Sequence, residues 1–185
     1  CEKFHPCQAL TDVLTMSEYF EGDLADAHLV YVGIQNNVSN SLTVICNKLG
    51  INLSLATPTQ DNNGESIDEN VQKLINSSEK ITHTQDPKAA VQDADFVYTD
   101  TWIDMQYFNN PSHRDENQTK LKKMMPYQVN SELLDGVSCR IMHDMPIHDG
   151  FEISAEMTKD PRAVIYSQAE NRMHAQKGLL YWLLK

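Results

Sequence analysis

The sequence predicts an α/β protein with a doubly wound, mainly parallel sheet and helices on both faces. Short, β-rich apolar segments alternate with segments of helical periodicity along most of the 185 residues. The apolar segments are short enough to be buried between two helical layers. Hydrophobic residues make up 41% of the chain, which is enough for the buried core of one domain spanning residues 1–185.

Six apolar segments are predicted to be strands, because each is short and bounded by polar residues or by a helical pattern. They are His28–Gly33, Asn52–Ala56, Ile81–Thr84, Phe96–Thr99, Cys139–Met142 and Ala163–Tyr166.

Helices are predicted between these strands. They cover Pro6 to about Phe20, Asn37–Leu49, Asn70–Ser77, Pro87–Ala94 and a final helix through Leu184. Asp86 is a candidate N-cap before a proline at the first helical position. Ser167 and Glu170 have the spacing of a capping box that opens the final helix. Two polar segments, Thr57–Ser66 and Asp104 to about Asn117, are predicted to be loops.

Composition excludes several classes of partner. The formal net charge of -11 argues against nucleic acid, which needs a concentrated basic face. No run of about 18 apolar residues exists, so no membrane span is expected and a cytoplasmic protein is the default. The four cysteines, Cys1, Cys7, Cys46 and Cys139, form no CxxC pair, so neither a zinc site nor a disulfide framework is indicated.

Candidate binding residues follow the predicted strands, where ligands bind in open α/β sheets. The turn starting at Gly33 lacks the spaced glycines of a dinucleotide site, but Asn37 could offer an amide to a ligand or cap the next helix. Asp100 could fix an ammonium group or cap a turn. Pro146 ends the turn that begins at His143, and would leave backbone carbonyls free for a ligand or form a plain strand-end turn.

Three further candidates lie at the start of the first predicted helix and in the last one. His5 and Gln8 could direct donors at one anionic or carbonyl oxygen, or His5 could be an N-terminal cap. Arg172 lies in the first turns of the last helix, where a cation gains nothing from the helix dipole. It therefore indicates an anionic partner, or a surface ion pair with Glu170 or Asp160.

Taken together, the motifs resemble those of ornithine carbamoyltransferases over essentially the whole chain. The matching segments are Phe4-His5-Pro6-Cys7-Gln8-Ala9-Leu10-Thr11-Asp12, Gly33 with Asn36-Asn37 and Asn40-Ser41, Tyr98-Thr99-Asp100-Thr101-Trp102, Tyr127-Gln128-Val129-Asn130 and Gln168-Ala169-Glu170-Asn171-Arg172.

The resemblance implies a Rossmann-like domain that binds the amine acceptor. Family members also have an N-terminal domain with a Ser-Thr-Arg-Thr phosphate-binding motif, which does not occur in this sequence. The expected partners are therefore carbamoyl phosphate, an amine acceptor and the N-terminal domain of the same protein, in a homotrimer. The isolated chain is expected to be inactive, and the chemistry requires no metal or organic cofactor.

Residue roles are also implied by the resemblance. His5 and Gln8 match residues that hold the carbamoyl group, and Arg172 matches an arginine that contacts its oxygen and the phosphate. Asn37 and Asp100 match side chains that bind the α-carboxylate and α-amino ends of ornithine.

The sequence departs from the family at three places. The family's His-Cys-Leu-Pro tetrad reads His143-Asp144-Met145-Pro146, and its Ser-Met-Gly loop reads Asp104-Met105-Gln106. Ile34 stands where relatives often carry aspartate. An ionised Asp144 would favour the ammonium form of the acceptor, or take its proton as a general base.

These departures leave three hypotheses open. The first is a carbamoyltransferase for ornithine, giving citrulline, or for a closely similar amine. The second is the same reaction with a diamine or another amino acid, since Asp104 and Asp144 add negative charge. The third is an inactive paralogue that serves as a binding or regulatory subunit.

Overall fold

The computed structural model describes residues 3–58, 68–103 and 105–185, without the side chains of Met105 and Gln106. Most of the predicted loop Thr57–Ser66 lies outside the described residues. In the described part the chain forms one five-stranded sheet in the order β3-β2-β1-β4-β5, with every neighbouring pair parallel. The strands are β1 (His28–Val32), β2 (Asn52–Ala56), β3 (Ile81–Thr84), β4 (Phe96–Thr99) and β5 (Arg140–His143).

Helices connect these strands. They are α1 (Pro6–Tyr19), α2 (Asn37–Leu49), α3 (Glu69–Ser77), α4 (Pro87–Ala90), α5 (Met105–Phe108), α6 (Arg114–Met124) and α7 (Ile165–Leu183). Short 3-10 segments cover Leu24–Asp26, Pro111–His113, Met125–Tyr127 and Met157–Lys159. Within the described ranges, no helix combines the length and the apolar character that a bilayer crossing requires.

Each face of the sheet contributes to its own hydrophobic core, because successive residues of a strand point to opposite faces. Leu29 and Tyr31 of β1 pack in one core with Met16 of α1 and Leu42 of α2. Val30 of the same strand belongs to a second core that includes apolar side chains from residues 124–141. The predicted doubly wound α/β architecture is therefore confirmed.

The strand order defines where a ligand can bind. From β1 the chain proceeds outward to β2 and β3, and then returns to β4 on the other side of β1 before continuing to β5. In open parallel sheets, ligands occupy the crevice at the carboxyl ends of the strands where this direction reverses. In this protein the crevice lies between the ends of β1 and β4, with the end of β5 beside them.

The sixth predicted strand, Ala163–Tyr166, is wrong. Ala163 forms only an isolated bridge with Ile141, and α7 already begins at Ile165. Val164 and Ile165 are buried in the two cores, so an apolar, β-branched segment serves here as the start of a helix. A short apolar segment does not by itself distinguish a strand from a buried helix end.

The predicted capping box at Ser167 and Glu170 is also wrong. Because α7 begins two residues earlier, Ser167 lies inside the helix, and its hydroxyl is 2.8 Å from that of Tyr19. The predicted N-cap at Asp86 is confirmed by a bond from the backbone N–H of Ala89, at 3.0 Å, although α4 ends at Ala90 rather than Ala94.

The predicted loop from Asp104 to about Asn117 is largely helical. The segment contains α5, a 3-10 turn capped by Asn110 and the start of α6. Asp115 and Glu116 lie in the first turn of α6, and basic residues lie in its last turn, as the helix dipole favours. A helix that is polar on nearly all sides has no apolar stripe, so periodicity did not reveal it.

Gly33, which follows β1, has a backbone conformation that side chains rarely adopt, with φ of 143°. A Cβ atom there would lie 3.3 Å from Nε1 of Trp102 and 3.6 Å from Oγ1 of Thr99.

Gly33→Ala is therefore expected to lower the free energy of unfolding by about 1–3 kcal/mol, measured by urea denaturation. Gly178→Ala is the matched control, because a Cβ there meets nothing within 4 Å. In a helix that change should stabilise by up to about 1 kcal/mol. A Gly33→Ala protein as stable as the parent would contradict the expectation.

Candidate active site at the carboxyl edge of the sheet

Asn36 closes the turn after β1 and caps α2. Its side-chain oxygen accepts hydrogen bonds from the backbone N–H groups of Val38 and Ser39, at 3.0 and 3.1 Å. Its amide nitrogen donates to Oδ2 of Asp100 at 2.5 Å. The capping role considered for Asn37 therefore belongs to Asn36, while Asn37 is the half-buried first residue of α2. Asn36 thus connects the two strand ends that flank the crevice.

Asp100 is buried immediately after β4, with 7% of its surface exposed. Its Oδ1 accepts the backbone N–H of Thr101 at 2.6 Å, so the carboxylate does support the local turn. Its Oδ2 accepts the Asn36 amide on the other side. Two ionised carboxylate oxygens provide about four acceptor sites, so Asp100 can also receive an ammonium donor.

His143 ends β5 and is held by partners on both ring nitrogens. Nδ1 accepts the backbone N–H of Met145 at 2.9 Å. Nε2 therefore carries the proton and donates it to Oε1 of Glu152 at 3.2 Å. Glu152 is fully buried, and the same oxygen accepts the backbone N–H of His148 at 2.6 Å. Glu152 and His143 thus fix the conformation of the turn after β5.

Asp144 lies within that turn, and 9% of its side chain is exposed. Burial raises the pKa of Asp144 to about 10, with further contributions from the charge of Asp100 and a hydrogen bond with it, against a lowering by Arg172. At neutral pH the protonated form of Asp144 is therefore favoured. The ionised Asp144 expected from the sequence is therefore not the favoured form in these surroundings.

Asp100, His143 and Asp144 each place a possible ligand atom within 4.8 Å of the others. Both ring nitrogens of His143 are already engaged, so the group offers two carboxyls unless the turn is rearranged. Divalent cations need several oxygen ligands, whereas an ammonium group needs only a few acceptors. The arrangement therefore favours an organic cation over a metal ion.

His5 lies at the start of α1, where its backbone forms the N-terminal contacts. Its N–H donates to Oγ of Ser41 at 2.7 Å, and its side chain makes no capping hydrogen bond. Burial lowers the pKa of His5, and the positive charge of Arg172 lowers it further, although Asp100 acts in the opposite direction. The neutral imidazole is thus favoured at neutral pH. The alternative of an N-terminal cap is confirmed for the backbone, since His5 is the N-cap residue of α1 and its carbonyl accepts the N–H groups of Gln8 and Ala9.

Gln8 is fixed on the next turn of α1 by Asp12. Its Nε2 donates to Oδ1 of Asp12 at 2.9 Å, and its Oε1 is buried with no partner among the described residues. Asp12 engages one of the two N–H groups of Gln8 Nε2, so Gln8 keeps the predicted donor as well as an acceptor at Oε1. Burial raises the pKa of Asp12 to about 7, against the lowering effect of hydrogen bonds from Gln168, Gln8 and Tyr98.

Arg172 is half-buried in α7 and forms no ion pair with a described residue. The expected alternative pairing with Asp160 is wrong, because Asp160 pairs with Arg162 at 2.9 Å. The charge of Arg172 lowers the pKa of both His5 and Asp144. These electrostatic effects indicate that α1, α7 and the turn after β5 lie near one another.

The remaining predicted site residues follow β5 and β4 in the sequence. Met145 and Pro146 are exposed, joined by a cis peptide bond, and Met145 has φ of 57°. Asp104 lies outside the described residues, and Met105 is the first residue of α5.

Sequence reasoning missed four residues that shape this edge: Asn36, Asp12, Gln168 and Glu152. Asp12 could have been found from its spacing of four residues from Gln8 on one helix, which places the two side chains together. Glu152 carried no local signal, and although Gln168 belongs to a motif that resembles the family's, its partners depend on tertiary contacts.

Comparison with known proteins identifies a common family. The family model described as "Aspartate/ornithine carbamoyltransferase, Asp/Orn binding domain" matches residues 25–183. The ornithine carbamoyltransferase of Methanothermobacter thermautotrophicus is 39% identical over 183 residues, 97% of this chain and 58% of that protein. That of Bacillus subtilis is 36% identical over 189 residues, 99% of this chain and 56% of that protein.

Solved structures lead to the same family. The crystal structure of ornithine carbamoyltransferase from Thermus thermophilus superposes with a TM-score of 0.80 at 35% identity, covering 100% of this chain and 57% of that one. The Pyrococcus furiosus ornithine carbamoyltransferase gives a TM-score of 0.80 at 36% identity, covering 97% and 56%. The chain thus spans a little over half the length of these relatives.

Proposed function

Because the chain belongs to the aspartate/ornithine carbamoyltransferase family, we propose that it binds the amine acceptor in carbamoyl transfer. The neutral side-chain amine of ornithine attacks the carbonyl carbon of carbamoyl phosphate, the C–O bond to phosphate breaks, and citrulline and phosphate form. The observation that carries this proposal is the carboxyl pair Asp100–Asp144, whose oxygens lie within 4.8 Å of each other. Arg172 acts electrostatically on Asp144, and Asp100 acts on His5. The carboxyl pair, which can bind a cation, is thus electrostatically coupled to Arg172 and His5, which can stabilise an oxyanion.

On the carbamoyl side, three side chains have complementary roles. Arg172 and the N–H of neutral His5 donate to the carbonyl oxygen, where negative charge develops in the tetrahedral intermediate. Gln8 accepts an N–H of the carbamoyl group through Oε1, which has no hydrogen-bond partner among the described residues. The backbone carbonyls of Asp144 and Met145 accept the other carbamoyl N–H.

On the acceptor side, Asp100 binds the α-ammonium group and Asn37 the α-carboxylate of ornithine. His143 shapes the turn, and Met145 and Pro146 line the acceptor site. By the family resemblance, we also assign Asp104 and Met105 to acceptor binding.

Asp144 is the general base of this proposal. A bound cation lowers the pKa of Asp144 and releases its proton, after which the carboxylate can accept a proton from the attacking amine. That proton transfer leaves Asp144 protonated, which is also the form that Asp144 favours without substrate.

We propose that the complete enzyme, meaning this chain with a carbamoyl-phosphate-binding N-terminal domain of the same protein, carries the activity. Support comes from an exposed apolar surface at the end of α7, formed by Leu180, Tyr181, Trp182, Leu183 and Leu184, each 57–85% exposed. Large apolar side chains exposed next to one another in this way mark contact sites. We further propose a homotrimer, a cytoplasmic location and a role in arginine metabolism. Cys7, Cys46 and Cys139 are free thiols, as a reducing compartment favours.

An amine panel tests the function. With carbamoyl phosphate and equal concentrations of ornithine, putrescine, lysine or acetylornithine, the complete enzyme should form product fastest with ornithine. The 185-residue chain alone should give no turnover.

The second candidate, a diamine carbamoyltransferase, is favoured by the extra carboxyl of Asp144, and faster turnover of putrescine would establish it. Binding of carbamoyl phosphate without turnover of any amine would instead indicate an inactive paralogue.

A further inference from the structure

Three hydrogen bonds meet on one buried oxygen beneath the candidate active site. Oδ1 of Asp12 accepts from Nε2 of Gln8 at 2.9 Å and from Nε2 of Gln168 at 2.7 Å. The hydroxyl of Tyr98 is a third donor, at 3.4 Å. Asp12, Gln8 and Gln168 are at most 2% exposed, so bulk water does not compete for these contacts. A carboxylate suits this position because it accepts more hydrogen bonds than an amide oxygen does.

The other end of the Gln168 side chain reaches β5. Its Oε1 accepts the backbone N–H of His143 at 2.9 Å. His143 in turn accepts the backbone N–H of Met145 through Nδ1, so the connection continues into the turn that contains Asp144. A continuous chain of hydrogen bonds therefore runs from Gln8 on α1, through Asp12 and Gln168, to the turn after β5.

We propose that Asp12 and Gln168 are positioning residues that hold Gln8 and the turn after β5 in register across the active site. This inference rests on the proposed function, because the register matters for the reaction only if both sides contact the same carbamoyl group. Both side chains are buried and act through their neighbours. A misplacement of about 1 Å between reacting groups can cost about 10²-fold in rate.

Gln168→Met and Asn171→Leu form a matched pair of variants. Asn171 also makes a buried contact between α7 and α1, through Nδ2 to Oγ1 of Thr15 at 3.2 Å, but it does not reach β5. Amide hydrogen exchange in the 185-residue chain should accelerate about tenfold at His143 in Gln168→Met, the equivalent of one lost hydrogen bond. In Asn171→Leu, exchange at His143 should change no more than at Ile141. Unchanged exchange at His143 in Gln168→Met would overturn the inference.

Activity of the complete enzyme provides the second readout. Gln168→Met should lower kcat by about 10²-fold with little change in either KM, while Asn171→Leu should stay close to the parent. Asp12→Asn, which keeps an oxygen for two donors, should retain more activity than Asp12→Leu. Equal losses of kcat in Gln168→Met and Asn171→Leu would overturn a positioning role. A parent enzyme without carbamoyl transfer would refute the proposed function, and the exchange comparison, which needs no substrate, would then decide the inference.

Discussion

Replacing Arg172 with glutamine is expected to lower kcat of the complete enzyme by about 10²–10³, which corresponds to about 2.7–4 kcal/mol of transition-state stabilisation. The guanidinium is half-buried, has no ion pair with a described residue and acts electrostatically on both His5 and Asp144. It is therefore available to the negative charge that develops on the carbonyl oxygen. Steady-state measurement of citrulline formation at saturating substrates gives kcat directly.

Lys177→Gln is the control for this prediction. Lys177 is an exposed cation on the same helix, so its removal changes the net charge equally without touching the crevice. Its kcat should stay within about twofold of the parent, as expected for a screened surface charge. If Arg172→Gln retained more than about a tenth of the parent kcat, Arg172 would not be the main oxyanion donor.

The second large effect is expected at Asp144. Asp144→Asn removes the proposed proton acceptor and should reduce kcat with ornithine by about 10²–10⁴. Asp144→Cys introduces the thiol that the family resemblance implies at this position and should retain more activity than the asparagine variant. Comparable activity of Asp144→Asn and the parent would remove Asp144 from the chemical step.

The same variant tests the protonation state of Asp144 without substrate. The folded-state pKa of about 10 lies above the ordinary value of 3.8, so the carboxyl favours the folded state most at low pH. That contribution is lost progressively as the pH rises from about 4 towards 10. Asn is always neutral, so Asp144→Asn should gain stability relative to the parent between pH 5 and pH 8, measured by urea denaturation. An equal difference at both pH values would show that Asp144 is ionised throughout.

Much of the fold could be predicted because local patterns determined it. The bounds of α2 and of β2, β3 and β4 agree with the prediction, since apolar periodicity and Gly50 mark them directly. Element ends were less certain: Asn36 rather than Asn37 caps α2, and Val164 rather than Ser167 lies before α7. Neighbouring residues of similar type compete for such positions, and tertiary packing selects one of them.

The site could be predicted only in part. Motif resemblance proposed His5, Asp100, Asp144 and Arg172, and the structure brings them into one electrostatic neighbourhood. The state of Asp144 could not be predicted, because it depends on how deeply the carboxyl is buried and how near Asp100 lies. The contact of Gln168 with Asp12, 156 residues away in sequence, likewise requires the three-dimensional fold.

The packing of α1 against α7 has a consequence for folding. Contacts between segments so distant in sequence carry a large loop-closure entropy, and proteins rich in them fold slowly. The crevice is therefore expected to assemble late, after the sheet has formed. An acceptor amine that binds only the finished crevice would raise the midpoint of thermal unfolding in proportion to the logarithm of its concentration, so that amine affinity can be measured without any turnover.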